Sequence, residues 1–281
     1  MSHLHNIRPL KNSVVPRSSV ISLCKRITNK VKPTKKFNLT ISRLAAHQLD
    51  HLDTSIPHKN ALSIDPNKKV VDLRYKFPEP FDQGSLGSCT ANALCGVIAY
   101  DIPNFMGSRL FLYYNERKIE NDIPDDAGAI LSDGVQSLIT YGICPEAEWV
   151  YDISKFAVKP HDSCYTTALQ HRALEVKNIK NDMISMKQAL DNGYPFVVGI
   201  MLFDSFQSYH TAITGIVSLP KQGETFLGGH AVSCVGYDDN QQMWIMRNSW
   251  GTGWGDKGYF YLPYSYLLGN LATDLWCVMK I

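Results

Sequence analysis

The stretch "DQGSLGSCTANALCGVIAY", residues 82–100, sets a glutamine, several small turn residues and a cysteine directly before an apolar run. A thiol becomes a nucleophile when it ionises. The first turn of a helix favours that ionisation, because free N–H groups and the helix dipole attract negative charge there. Ala91, Leu94, Cys95 and Ile98 fall at i, i+3, i+4 and i+7, which predicts a helix beginning at Cys89. Gly84 and Gly87 permit a tight approach turn, and Ser88 is placed to cap the helix. Taken alone, a cysteine at a helix start is more often a small buried hydrophobe, so the chemistry depends on partners from elsewhere in the chain.

Those partners lie in the C-terminal half. "GGHAVSCVGYDD" offers His230 at the start of a predicted strand, and "MRNSWGTGWGDKGY" offers Asn248 at the end of the next. A hairpin would hold the two side by side. A neutral imidazole beside Cys89 can take its proton, and an amide oxygen on the other ring nitrogen fixes tautomer and orientation.

The motifs "QGSLGSC", "GGHAV" and "RNSWGTGWGDKGY", in this order, resemble the papain family of cysteine peptidases over about residues 69–281. His230 follows Cys89 by 141 residues and Asn248 by 159, against the roughly 130–150 of that family's pattern. The resemblance implies Cys89 as nucleophile, His230 as its acid/base partner and Asn248 as the group that orients His230. It also implies Trp250 as a cover for that hydrogen bond, and Gln83 as an oxyanion donor beside the Cys89 N–H. Implied substrate-side positions are Gly128 and Ala129 in "DAGAI", Gly229, Trp250, and Asp274 in "NLATDLW". A carboxylate at Asp274 pointing into the pocket for the second residue before the cut would favour Arg or Lys; a solvated Asp274 is the alternative. No cofactor or metal is implied. Two positions depart from the secreted members: Leu86 stands where they carry a disulfide cysteine, and Thr90 where they carry an aromatic residue. The resemblance is to the signal-less members of bacteria and large DNA viruses.

The elements that must position these groups change texture along the chain. Residues 1–67 form a basic N-terminal segment with one helix-like piece, "TISRLAAHQLDHL", and residues 68–281 form the peptidase-like domain. Helical patterns at 89–101, 108–120 and 131–142 give way after about residue 193 to strands in "YPFVVGIML", "HAVSCVGYDD", "QMWIMRNSW" and "GYFYLPY", with "MISMKQALDNG" as one more short helix. The expectation is an α+β, papain-like two-lobed fold. Its helical lobe covers about residues 85–175, its antiparallel β-barrel-like lobe about 176–281, and a cleft lies between them.

Composition narrows the function classes. The 281 residues carry a net charge of +2 and 44% hydrophobic content, as an ordinary globular protein does. Residues 1–68 hold twelve Lys or Arg against three Asp, and the remainder sixteen against twenty-three acidic residues, so a basic arm faces an acidic body. No apolar run reaches the length of a membrane span, and no signal-peptide pattern opens the chain, which reads as non-secretory: cytoplasmic, or in the virion if the chain is viral. The sequon Asn38-Leu39-Thr40 is then expected unmodified. Seven cysteines at irregular spacings include no CxxC pair and read mainly as buried thiols, with no function assigned to Cys24, Cys144, Cys164 or Cys277. His47 and His51 stand four apart, but "HQLDH" lacks the glutamate of a zinc-peptidase motif.

The sequence thus reads as a cysteine endopeptidase made as a zymogen, whose partners are a polypeptide substrate and its own basic pro-segment. The rivals are a catalytically silent peptide-binding homologue, and a peptidase tethered by its basic arm to nucleic acid or anionic membrane.

Overall fold

A computed structural model describes residues 68–281. The expected helix at residues 41–52, His47, His51, Cys24 and the sequon lie outside the described residues. In chain order the elements are β1 (Val70–Asp72), α1 (Cys89–Asp101), α2 (Arg109–Ile119), α3 (Leu131–Thr140), α4 (Asp162–Ala168), β2 (Glu175–Asn178), α5 (Met183–Asp191), β3 (Phe196–Phe203), α6 (Tyr209–Thr214), β4 (Phe226–Asp238), β5 (Met243–Arg247), β6 (Tyr259–Pro263), α7 (Tyr264–Leu268) and β7 (Ala272–Lys280). The architecture is α+β.

Local chemistry fixes the helix boundaries. Ser108 Oγ accepts from Phe111 N–H at 3.1 Å to start α2, and Asp182 Oδ1 accepts from Ser185 N–H at 2.7 Å to start α5. Gly142 stops α3 with φ +73°; a Cβ there would sit 1.9 Å from the Ala168 carbonyl oxygen, so only glycine fits.

The strands form one antiparallel sheet in the order β2-β7-β3-β4-β5-β6, with β1 added to β4. β4 is the hub: its first part pairs with β3 (Ile200 opposite His230), and its second with β5 (Ser233 opposite Arg247) and with β1. One apolar cluster gathers α1, α2 and α3, and a second lies against the sheet. α1 lies where they meet, with the Ser233 hydroxyl of β4 donating to the Ala93 carbonyl at 3.2 Å.

On α1 every residue from Cys89 to Tyr100 is buried; Thr90 and Asn92 are accommodated by hydrogen bonds rather than by water. One expectation changes: His230 was expected to open its strand and is instead the fifth residue of β4, because pairing with β3 extends back to Phe226.

Candidate active site

Cys89 is the first residue of α1 and wholly buried. Ser88 occupies the cap position, but its hydroxyl does not cap the helix. It shares a 2.5 Å hydrogen bond with Tyr151 Oη and accepts from Asn92 Nδ2 at 3.0 Å. Tyr151 Oη in turn donates to the Gln83 carbonyl at 3.0 Å, so the expected cap residue serves the approach turn instead. Burial pushes the Cys89 thiol up to about 12; the backbone N–H groups of Ala231, Thr90 and Cys89 pull the other way, and Glu116 adds to the rise. The Ala231 contact places the sulfur against the residue that follows His230.

His230 and Asn248 come from neighbouring strands, as the hairpin requires. His230 Nε2 donates to Asn248 Oδ1 at 2.8 Å, and the same oxygen accepts from Ser249 N–H at 2.8 Å. Both side chains are buried. Trp250 stacks on the imidazole with ring centroids 5.1 Å apart and planes at 29°, shielding that bond from water. This arrangement leaves Nδ1 as the ring nitrogen without the proton, which is the form a base needs.

Gln83 is held from three sides. Its N–H donates to the Ser249 carbonyl at 2.9 Å, its Oε1 accepts from Ser249 Oγ at 2.5 Å, and its Nε2 donates to the Leu86 carbonyl at 2.9 Å. An amide NH2 carries two hydrogens, so one donor remains after the Leu86 bond. Gly251 N–H donates to the Phe81 carbonyl at 2.8 Å, which zips the turn bearing Gln83 to the loop bearing Asn248 and Trp250.

The substrate-side candidates separate into two places. Gly128, with φ +90°, and the buried Ala129 stand just before α3. Asp126 fastens that turn to the one preceding Cys89, accepting from Gly87 N–H at 2.9 Å and from Tyr113 Oη at 2.7 Å. Asp274, on β7 with φ +60°, reaches the same region: its carboxylate accepts from Ser132 N–H at 3.3 Å and from Trp276 Nε1 at 2.7 Å. Burial raises its pKa, so Asp274 is not a freely solvated aspartate. Gly229 lies apart, paired with Met201 in the β3–β4 ladder next to His230.

Three contributors carried no recognisable signal in the sequence. Arg247 is buried beside α1, where a Cβ on Gly96 would sit 2.9 Å from its Nη1, and it donates to the Glu79 carbonyl at 2.8 Å, anchoring the residue before Asn248. Thr90 Oγ1 donates to Glu116 Oε2 at 2.7 Å. Tyr151 joins the turn of Gln83 to Ser88. Each pair is far apart in sequence, so no local pattern announces it.

The sequence profile of the papain family cysteine proteases matches residues 69–267. A peptidase C1-like protein, L477, of Acanthamoeba polyphaga mimivirus is 42% identical over 229 residues, covering 76% of this chain and 73% of its own. Cysteine proteinase 2 of Entamoeba histolytica is 29% identical over 238 residues, covering 81% and 70%. Among solved structures, xylellain, a cysteine protease from Xylella fastidiosa, matches with a TM-score of 0.71 at 38% identity, over 76% of this chain and 87% of its own. Digestive procathepsin L 3 from the Tenebrio molitor larval midgut, at 19% identity and a TM-score of 0.61, shares the fold. The chain belongs to the papain family of cysteine proteases and is a thiol peptidase.

Proposed function

We propose that this peptidase cuts internal peptide bonds through an acyl-enzyme on Cys89, and that residues 1–67 hold it as a zymogen. The observation that carries the mechanism is the His230–Asn248 hydrogen bond of 2.8 Å beside a cysteine at a helix N-terminus. Burial opposes an isolated thiolate, so the sulfur loses its proton only by giving it to His230, creating an ion pair inside the site. The thiolate attacks the scissile carbonyl carbon. Negative charge moves to the carbonyl oxygen, where Gln83 Nε2–H and the Cys89 N–H donate to it. The imidazolium returns its proton to the departing amine, leaving a thioester. Water, deprotonated by His230, then attacks the thioester and releases the acid and the thiol.

On the substrate side, the turn at Gly128 and Ala129 would pair with the extended peptide as an added strand. Asp274 would favour Arg or Lys at the second residue before the cut; its bonds to Ser132 and Trp276 support a second, positional role that joins β7 to α3.

One observation supports the zymogen reading. The N-terminal segment is basic and the remainder acidic, so attraction favours docking, and covalent attachment keeps the segment's effective concentration high. Cutting within residues 58–69 should raise activity, and the separate segment added back should inhibit less as salt increases. Equal activity of full-length and trimmed protein would reject the inhibitory role. The same charge split favours tethering to nucleic acid or anionic membrane as the second reading, which a salt-dependent binding assay on residues 1–68 tests. Cleavage profiling with a mixed peptide library tests the peptidase reading, including endopeptidase against end-trimming action.

A further inference from the structure

Three side chains outside the catalytic machinery converge where the sequence had shown no pairing. Cys144 stands just after α3, and Cys164 lies in α4, twenty residues on. Their sulfurs and a carboxylate oxygen of Glu148 all lie within 4.8 Å of one another. Both thiols are buried and Glu148 is exposed, so the cluster is dry on the inside and open to water on one side. The Cys164 thiol also donates to the Glu148 backbone carbonyl at 3.8 Å.

Among the described residues the Glu148 carboxylate has no ion pair. A divalent metal would give that carboxylate and both sulfurs a common counter-charge. Tetrahedral zinc with bonds of about 2.3 Å holds two sulfurs roughly 3.8 Å apart, a separation the 4.8 Å cluster reaches by small side-chain shifts. Thiolates select zinc-like metals over magnesium or calcium.

We propose that Cys144, Cys164 and Glu148 form a structural site for a divalent cation of the zinc type, with water as the fourth ligand. Binding replaces two S–H bonds by two metal–sulfur bonds and adds a metal–carboxylate bond. The two protons go to solvent and no electrons are exchanged. A disulfide between the cysteines would require an oxidant. The metal would clamp the chain around residues 144–148 to α4. That chain is already fixed to α2 by the Arg109–Glu146 ion pair and by Ser108 Oγ donating to the Trp149 carbonyl at 2.6 Å. Tyr151, two residues further, supports Gln83, so the clamp would stiffen one wall of the cleft.

The test uses the full-length chain carrying Cys89→Ala, which removes the catalytic thiol as a competing ligand. Under reducing, metal-free conditions it is titrated with cobalt(II) chloride and then with zinc chloride. One equivalent of cobalt should bind with thiolate-to-metal charge-transfer absorption, zinc should displace it, and apparent affinity should rise with pH because protons are released. Cys144→Ser or Cys164→Ser should remove the absorption, and Glu148→Gln should weaken binding about tenfold or more. If a cysteine variant fails to fold, Glu148→Gln at its exposed position still decides. Absence of the cobalt absorption in the folded protein would overturn the proposal. Binding unchanged by Glu148→Gln would do so too, as would a Cys144–Cys164 disulfide in protein that takes up no metal when reduced.

Discussion

Thr90, one residue after Cys89, donates its hydroxyl to the wholly buried carboxyl group of Glu116 at 2.7 Å. The position that carries an aromatic side chain in secreted relatives here anchors a buried acid, and Gly134 makes room for it, since a Cβ there would lie 2.5 Å from Glu116 Oε1. Burial pushes Glu116 up to about 8 from an ordinary 4.5.

The folded state therefore holds the Glu116 proton more tightly than the unfolded chain does. Between about pH 4.5 and 8 the native protein binds more protons, so stability falls as pH rises through that window. Glu116→Gln, which keeps the hydrogen bond to Thr90, should flatten the decline in melting temperature across this range. An identical decline in wild type and variant would show that Glu116 is ionised throughout.

Asn248→Ala should leave measurable turnover, because it removes an orienting group and spares the base. The expected loss is about 10- to 10²-fold in kcat/KM, the worth of one buried hydrogen bond to a charged imidazolium, about 1.5–3 kcal/mol. His230→Ala should cost far more. Steady-state kinetics on one peptide substrate decides, and equal losses would contradict the division between orienter and base.

Gln83→Ala removes the proposed oxyanion donor together with the side-chain bonds to Leu86 and Ser249. We expect kcat to fall about 10²- to 10³-fold with little change in KM. A rise in KM at unchanged kcat would assign Gln83 to ground-state binding.

Asp274 admits a clean separation of roles. Asp274→Ala deprives Ser132 N–H and Trp276 Nε1 of their acceptor and should destabilise the fold by about 1–3 kcal/mol in denaturant unfolding. Asp274→Asn keeps an acceptor for one of those two donors and a residue tolerant of φ +60°, while removing the charge. The ratio of kcat/KM for Arg over Leu two residues before the cut should then fall toward one. An unchanged ratio would confine Asp274 to joining β7 to α3.

The groups that sequence motifs contain were legible because chemistry constrains them locally. Cys89 must follow a tight turn and open a helix, while His230 and Asn248 must sit on a hairpin. Other parts depend on contacts between distant segments. β7 was hidden because "ATDLWCVMK" lacks regular alternation, being sandwiched between β2 and β3. The short α4 and α6 hold too few residues to show a period. Glu116 lies 26 residues from Thr90 and Arg247 more than 160 from the carbonyls it caps, separations at which no sequence period speaks. Cys144 and Cys164 are twenty residues apart, and only the packing of α4 beside the end of α3 brings them together.

The most direct measurement is cleavage of a mixed peptide library by protein trimmed within residues 58–69, compared with the same protein carrying Cys89→Ala. The substitution removes the sulfur from the start of α1 and changes little volume, so circular dichroism and melting temperature should match. The account predicts cleavage by the trimmed wild type and none by the folded variant. Cleavage persisting in Cys89→Ala, with the fold intact, would contradict it.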